Sequence, residues 1–139
     1  MANRFNVRLP VNEDPDVLAV EAKHVKEITQ GEWAEEVDGQ ALPVAVHFYS
    51  KGSEASEALG PRFGAVAAKF SGKARFVKVH QPANPDLVAR LRVTESPTVV
   101  FLQGGKEKGE RLSGGDIKRT ELKARVEAML GVPAAAPTR

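Results

Sequence analysis

The chain has 139 residues, of which 42% are hydrophobic and 27% are charged, and its net charge is +2. This composition is typical of a globular domain and argues against a disordered, membrane-spanning or nucleic-acid-binding protein. No cysteine is present, which excludes disulfides and thiol chemistry in this chain. Because the start of the chain has no apolar signal segment, we expect a cytoplasmic location.

The apolar pattern predicts one domain over residues 23–130, with an extension at residues 1–22 and a disordered tail at residues 131–139. Strands and helices alternate in the order βαβαβαββα. The predicted strands are 24–28, 44–48, 75–80, 98–102 and one centred on 111–112, and the predicted helices are 31–37, 53–70, 85–91 and one that Asp116 caps and Gly131 ends.

This order requires parallel strand pairs joined by right-handed crossovers. Gly104 and Gly105 predict an antiparallel hairpin near the end of the domain. The strand at 75–80 is apolar on both faces, as in a central strand covered by helices on both sides. The sequence therefore predicts a three-layer α/β/α fold around a mixed sheet.

The strand at 44–48 leads through Lys51 and Gly52 into a helix that begins with Ser53, Glu54, Ala55 and Ser56. This junction resembles the active-site turn of the thioredoxin family, in which a C-x-x-C motif begins the helix. Serine stands at both cysteine positions here. Further matches at the family's spacing are Pro61, Lys78, the pair Asn84 and Pro85, and the tripeptide Ser96, Pro97, Thr98.

The resemblance covers roughly residues 25 to 130 and implies the thioredoxin fold. The chain departs from the family at Gly52, which replaces a tryptophan, and at His47, which replaces a buried aspartate. Glu54 and Ala55 replace the Gly-Pro pair between the cysteines. The chain therefore has the family's positions without the thiols on which the family's chemistry depends.

By resemblance, the positions of the family's redox chemistry are Ser53, Ser56, His47 and Lys78. The resemblance also implies a groove beside a cis Ser96–Pro97 bond that binds a protein or peptide partner, and it implies no cofactor. The groove residues are Gly52, Glu54, Ala55, Ser96, Pro97, Ser113, Gly114 and Gly115.

A serine hydroxyl does not ionise as a thiol does at a helix N-terminus, so we expect no disulfide reduction. Two origins fit this pattern: a redox-active parent whose C-E-A-C cysteines were changed to serine, or a natural redox-silent interaction module. A serine hydrolase that pairs Ser53 with His47 lacks the G-x-S-x-G elbow, and a metal site at His47 and His80 lacks a repeated ligand spacing. We expect His47 to be a buried, neutral and hydrogen-bonded core histidine next to Lys78.

Overall fold

A computed structural model describes residues 24–131 of the chain. The predicted extension and tail lie outside these residues, except for Gly131, which ends the last helix with a φ of 76°. The strands are β1 (Val25–Glu27), β2 (Val44–Tyr49), β3 (Arg75–His80), β4 (Thr98–Gln103), β5 (Lys106–Glu107) and β6 (Leu112–Ser113). The α-helices are α1 (Glu54–Lys69), α2 (Pro85–Arg90) and α3 (Arg119–Leu130), and short helical turns cover Gln30–Glu32, Ala34–Asp38 and Gln81–Ala83.

The strands form one mixed sheet in the order β1-β3-β2-β4, and both β5 and β6 pair with β4. β3 runs parallel to β1 and to β2, whereas β4 is antiparallel to β2. The predicted central position of β3 is confirmed. This register places His47 of β2 between Lys78 of β3 and Val99 of β4.

Helices cover both faces of the sheet, which confirms the predicted three-layer α/β/α fold. On one face, α1 and α3 pack on the sheet through a cluster that includes Leu59, Phe63, Val66, Phe76, Phe101, Leu122 and Val126. On the other face, the turns at 30–38 and α2 pack through a cluster that includes Trp33, Val37, Val46, Phe48, Val77 and Leu87. The core is therefore divided by the sheet, and β2 contributes side chains to both halves.

The helix expected at 31–37 is a 3-10 turn followed by a π-helical turn, in which the Gly39 amide donates to the Ala34 carbonyl oxygen at 2.8 Å. This wide turn buries Trp33 and Val37 against the sheet and leaves the Glu36 carboxylate in contact with Lys26.

The predicted second hairpin strand is split into β5 and β6. Between them, Gly109 has a φ of 74°, and the Arg111 guanidinium binds the Glu107 carboxylate at 2.9 and 3.0 Å across the loop. A glycine in the left-handed region turns the chain away from the extended ladder. The ion pair then closes the resulting loop.

Asp116 does not cap the last helix, contrary to the prediction. Ile117 is buried in the core, so the chain stays extended there and the helix begins after Lys118. The Glu121 carboxylate accepts from the Lys118 amide at 3.0 Å, and Asp116 instead binds the Lys118 ammonium at 2.9 Å.

Asn84 precedes α2 as predicted, but its side chain does not cap that helix. Its Oδ1 accepts from the Gln30 amide at 2.7 Å and its Nδ2 donates to the His80 carbonyl at 2.8 Å. The Gln30 Oε1 caps α2 instead, because it accepts from the amides of Asp86 and Leu87 at 3.0 and 3.2 Å. The cap of α2 thus comes from a residue 56 positions away from Asp86.

Candidate functional site: a serine-lined groove above a buried histidine

The turn between β2 and α1 depends on Gly52. Its φ is 88°, and the Ser53 amide donates to the Ser50 carbonyl oxygen at 3.2 Å across the turn. A bulky residue at this position would be strained in the left-handed region, so the glycine is what this turn needs. The turn directs the N-terminus of α1 towards the loop that precedes β4.

The two serines at the start of α1 have different roles. The Ser53 Oγ accepts from the Ser56 amide at 3.3 Å, which is the predicted N-cap. Ser56 is only 2% exposed, and its Oγ accepts from the Ser50 amide at 3.2 Å and lies 2.8 Å from the Ser96 Oγ. The buried hydroxyl of Ser56 is therefore fully engaged.

The Ser56 hydroxyl joins α1 to the other predicted half of the groove. The Ser96–Pro97 bond is cis. The Pro97 carbonyl oxygen accepts from the Gly114 amide at 3.1 Å, and Ser113 lies opposite Thr98 in the ladder between β4 and β6. The structure thus brings the Ser53 turn, Ser96 and Pro97, and Ser113 and Gly114 to one end of the sheet.

The rim of this groove is polar. Gly52, Glu54, Ser113 and Gly115 are exposed, and Ala55 is partly exposed beside them. The polar rim leaves backbone groups, hydroxyls and a carboxylate for contact with a partner.

Gln81 belongs to this site and was not predicted. Its side-chain amide, with the nitrogen facing inwards, lies 3.1 Å from the Glu95 carbonyl oxygen, 3.3 Å from the Phe48 carbonyl oxygen and 3.3 Å from the Ser96 Oγ. It therefore links the end of β2 to the loop that contains Ser96. Its position directly after β3 was the signal available in the sequence, because polar residues that follow parallel strands meet at one edge of the sheet.

His47 lies on the α1 face of the sheet and is 2% exposed. Its ring centroid is 5.4 Å from that of Phe63 and 5.8 Å from that of Tyr49. Burial, with a smaller contribution from the Lys78 ammonium, lowers the pKa of His47 to about 3. The histidine is buried and neutral as predicted.

The prediction that His47 is hydrogen-bonded is wrong. Neither ring nitrogen has a hydrogen-bond partner, because its neighbours on this face are aromatic rings. A histidine without a hydrogen bond to Ser53 or Ser56 does not act as their general base. The geometry gives no support to the serine hydrolase reading.

A row of polar and aromatic side chains continues from His47 towards the surface and includes Lys78, which the resemblance placed among the redox positions. The ring of Tyr49 packs against that of His80 at a centroid distance of 5.1 Å. The Lys78 ammonium lies 5.4 Å from the centre of the Tyr49 ring. The Tyr49 hydroxyl donates to the Glu27 carboxylate at 2.5 Å. These contacts hold the ends of β1, β2 and β3 together below the groove.

Comparison with known proteins agrees with the fold. The thioredoxin family model matches residues 24–128. Thioredoxin X, chloroplastic, of Arabidopsis thaliana is 28% identical over 106 residues, which are 76% of this chain and 58% of that protein. Thioredoxin M4, chloroplastic, of the same plant is 27% identical over 118 residues, which are 85% of this chain and again 58% of that protein.

A cyanobacterial thioredoxin, from Synechocystis, is 22% identical over 104 residues, which are 75% of this chain and 95% of that protein. The names of the two plant relatives assign those proteins to the chloroplast, so the cytoplasmic location of this chain stays a prediction. Among residues 24–131, none of the helices has the length and apolar character needed to cross a bilayer.

Proposed function

The chain belongs to the thioredoxin family, and from this premise we propose that it is a redox-silent interaction module that binds a protein or peptide partner in the groove beside Pro97. The proposal gives the groove a binding role without thiol chemistry. It rests mainly on the Ser56 hydroxyl, which joins the first turn of α1 to the loop before Pro97.

Serine suits this position better than a thiol does. The Ser56 Oγ accepts from a backbone amide at 3.2 Å and shares a hydrogen bond with the Ser96 Oγ at 2.8 Å. Both distances are normal for a hydroxyl, whereas a thiol is a weak donor and a weak acceptor. The partly buried pair of hydroxyls stabilises the groove in one shape, which favours partner binding.

The groove suits an extended polar peptide. Its exposed positions are glycine, serine and glutamate, and its floor is Pro97, which is buried. Affinity at such a surface comes mainly from hydrogen bonds to main-chain groups.

One observation favours a second candidate, in which the chain is an oxidoreductase scaffold whose cysteines have been replaced by serine. Ser53 occupies the N-cap of a 16-residue helix. A thiolate at that position would be stabilised by the partial positive charge of the helix N-terminus. The scaffold thus retains a place for the attacking thiol, although the chain as it stands has none.

The two candidate functions predict different reductase activities when cysteine is introduced at positions 53 and 56. We expect the native chain to show no turnover in the reduction of insulin driven by dithiothreitol. If the interaction module is correct, the variant Ser53→Cys, Ser56→Cys should also stay near background, because the Ser50 amide and the Ser96 hydroxyl at the second position are partners suited to a hydroxyl. The matched control is the single variant Ser53→Cys, which cannot form an intrachain disulfide.

Circular dichroism and thermal unfolding should first show that the double variant is folded. A folded double variant that reduces insulin well above the single variant would instead support the oxidoreductase scaffold. That result would overturn the redox-silent assignment while leaving the family and the fold intact.

Partner binding is tested separately with a displayed library of random peptides. Selected peptides should shift the NMR amide signals of Ser96, Ser113 and Gly114. Ser113→Trp should reduce their affinity at least tenfold, because the indole would fill the groove. Glu110→Trp, at an exposed position in the loop between β5 and β6, should leave affinity unchanged.

Peptides that bind both tryptophan variants equally well would contradict the placement of the site. A library that yields no peptide above background would contradict the proposed function itself.

A further inference from the structure

A cavity of about 410 Å³ lies between the second half of α3 and the loop that follows β5. The residues that line it are Gln103, Lys108, Gly109, Arg125, Ala128 and Met129. All six are exposed or half-buried, so a ligand can reach them from solvent. The volume lies within the range of about 300 to 1,000 Å³ that is typical of pockets for small molecules.

Both charged side chains in this lining are cationic. Among residues 24–131, no carboxylate forms an ion pair with the Lys108 ammonium. The carboxylate nearest to the Arg125 guanidinium belongs to Glu110, with 3.7 Å between Nη2 and Oε1, and the Glu110 side chain is 89% exposed. That distance is too long for a hydrogen bond, and an ion pair so open to solvent is weak. The cavity therefore has two positive charges without a close counterion in the described part of the chain.

The Arg125 side chain is held in the cavity wall by packing. Its Nε is buried and has no hydrogen-bond partner, and within residues 24–131 its terminal nitrogens make no hydrogen bond either. A guanidinium has five N–H donors in a planar fork, which matches the two oxygens of a carboxylate. Because buried polar groups normally have partners, this arginine indicates an acceptor that residues 24–131 do not supply.

The remainder of the lining favours a ligand that also has an apolar part. Met129 lies one helical turn after Arg125 and packs against the core cluster on the α1 face while remaining half-buried. Ala128 is exposed beside it. A methionine side chain adapts its shape to an apolar surface, whereas an inorganic anion would leave it in contact with water. The lining thus suits an organic acid better than an inorganic anion.

We propose that this cavity binds a small organic acid, whose carboxylate pairs with Arg125 and Lys108 and whose apolar part contacts Ala128 and Met129. The site is independent of the proposed function, because Gln103 ends β4 and the groove lies where β4 begins. The chain thereby has a small-molecule site in addition to the peptide groove.

The probe is 3-phenylpropanoate, titrated into the full chain and followed by NMR. The amide signals of Lys108, Gly109 and Met129 should shift together and reach saturation. The Nε–H signal of Arg125 should shift with them. Acetate, which lacks the phenyl group, and 3-phenylpropanamide, which lacks the charge, should each bind at least tenfold more weakly than the probe.

Variants place the probe in the cavity. Arg125→Met keeps an unbranched side chain and should weaken binding at least tenfold, because the guanidinium fork is lost. Ala128→Glu puts a carboxylate three residues after Arg125 on the helix and should block the probe. The matched control is Arg119→Met, at an exposed position of the same helix, which should leave the affinity unchanged. Circular dichroism should show that each variant is folded.

A folded Arg125→Met variant that binds the probe as tightly as the native chain does would overturn the proposal. Equal affinities for the acid and the amide would overturn it too, because the cavity would then recognise only the apolar part. Acetate or inorganic phosphate that binds as tightly as the probe would reduce the site to unspecific charge pairing. The absence of any saturable shift at the highest soluble probe concentration would also contradict it.

Discussion

The free energy of unfolding should fall steeply as the pH is lowered from 6.5 towards 3, and His47 should cause much of this fall. Above pH 6.5 the imidazole is neutral in both the folded and the unfolded chain. Below that value the unfolded chain binds a proton that the folded chain, with a pKa of about 3 at His47, does not. The loss is roughly 1.4 kcal/mol per pH unit over this range.

The variant His47→Leu isolates this contribution. Urea unfolding, followed by circular dichroism at several pH values between 4 and 7, should give a much shallower pH dependence for the variant. At pH 7 the variant should be at least as stable as the native chain, because it removes two buried ring nitrogens that have no hydrogen-bond partner. Parallel curves for the two proteins would contradict the burial of a lone neutral imidazole.

The neighbouring ammonium provides a graded control. Lys78→Met should raise the pKa of His47 only in part, because burial is the larger cause of the shift. Its pH dependence should therefore lie between those of the native chain and His47→Leu. NMR titration of the His47 ring signals gives an independent reading of the same pKa.

Phe63→Ala should cost about 3 to 5 kcal/mol of folding free energy, the range for a large aromatic side chain truncated in a core. Phe63 is 0% exposed, and its ring lies 5.4 Å from both His47 and Phe76, measured between centroids. It is one of the side chains by which α1 packs on the sheet beneath the groove. Such a loss is a large fraction of the total stability of an ordinary domain.

Urea unfolding at pH 7 measures this effect, and Lys69→Ala is the matched control. Lys69 is exposed at the end of the same helix, so its truncation should change stability by less than about 0.5 kcal/mol. In Phe63→Ala, the amide signals of Ser56 and Ser96 should also shift, because their hydrogen bond depends on the position of α1. A cost below about 1 kcal/mol would contradict the described packing.

The strands and long helices could be predicted because their apolar periods are local and strong. The stripe through Leu59, Phe63, Val66 and Phe70 predicts α1, and all four residues are buried. The apolar character of β3 on both faces predicts its central place in the sheet. The prediction was weaker where the chain departs from a regular period, as in the π-helical turn Ala34–Asp38 and the split between β5 and β6.

In the candidate site, too, some residues could be predicted from the sequence and others could not. Ser53 could be recognised as an N-cap because capping is a contact between near neighbours in the sequence. Gln81, by contrast, contacts Ser96 and Phe48, and neither of these residues is near it in the sequence. A glutamine after a strand has many available partners, and the sequence offers no way to choose among them.

The sequence by itself determined the α/β order, the serines in place of thiols and the burial of His47, because these follow from residue type and local period. Only the tertiary structure decided which polar groups are paired. The Ser56 Oγ lies 2.8 Å from the Ser96 Oγ, whereas neither ring nitrogen of His47 has a hydrogen-bond partner. The physical reason is that a hydrogen bond forms only when the donor–acceptor distance is right to within a few tenths of an ångström. Packing, and not sequence, sets that distance between residues far apart in the chain.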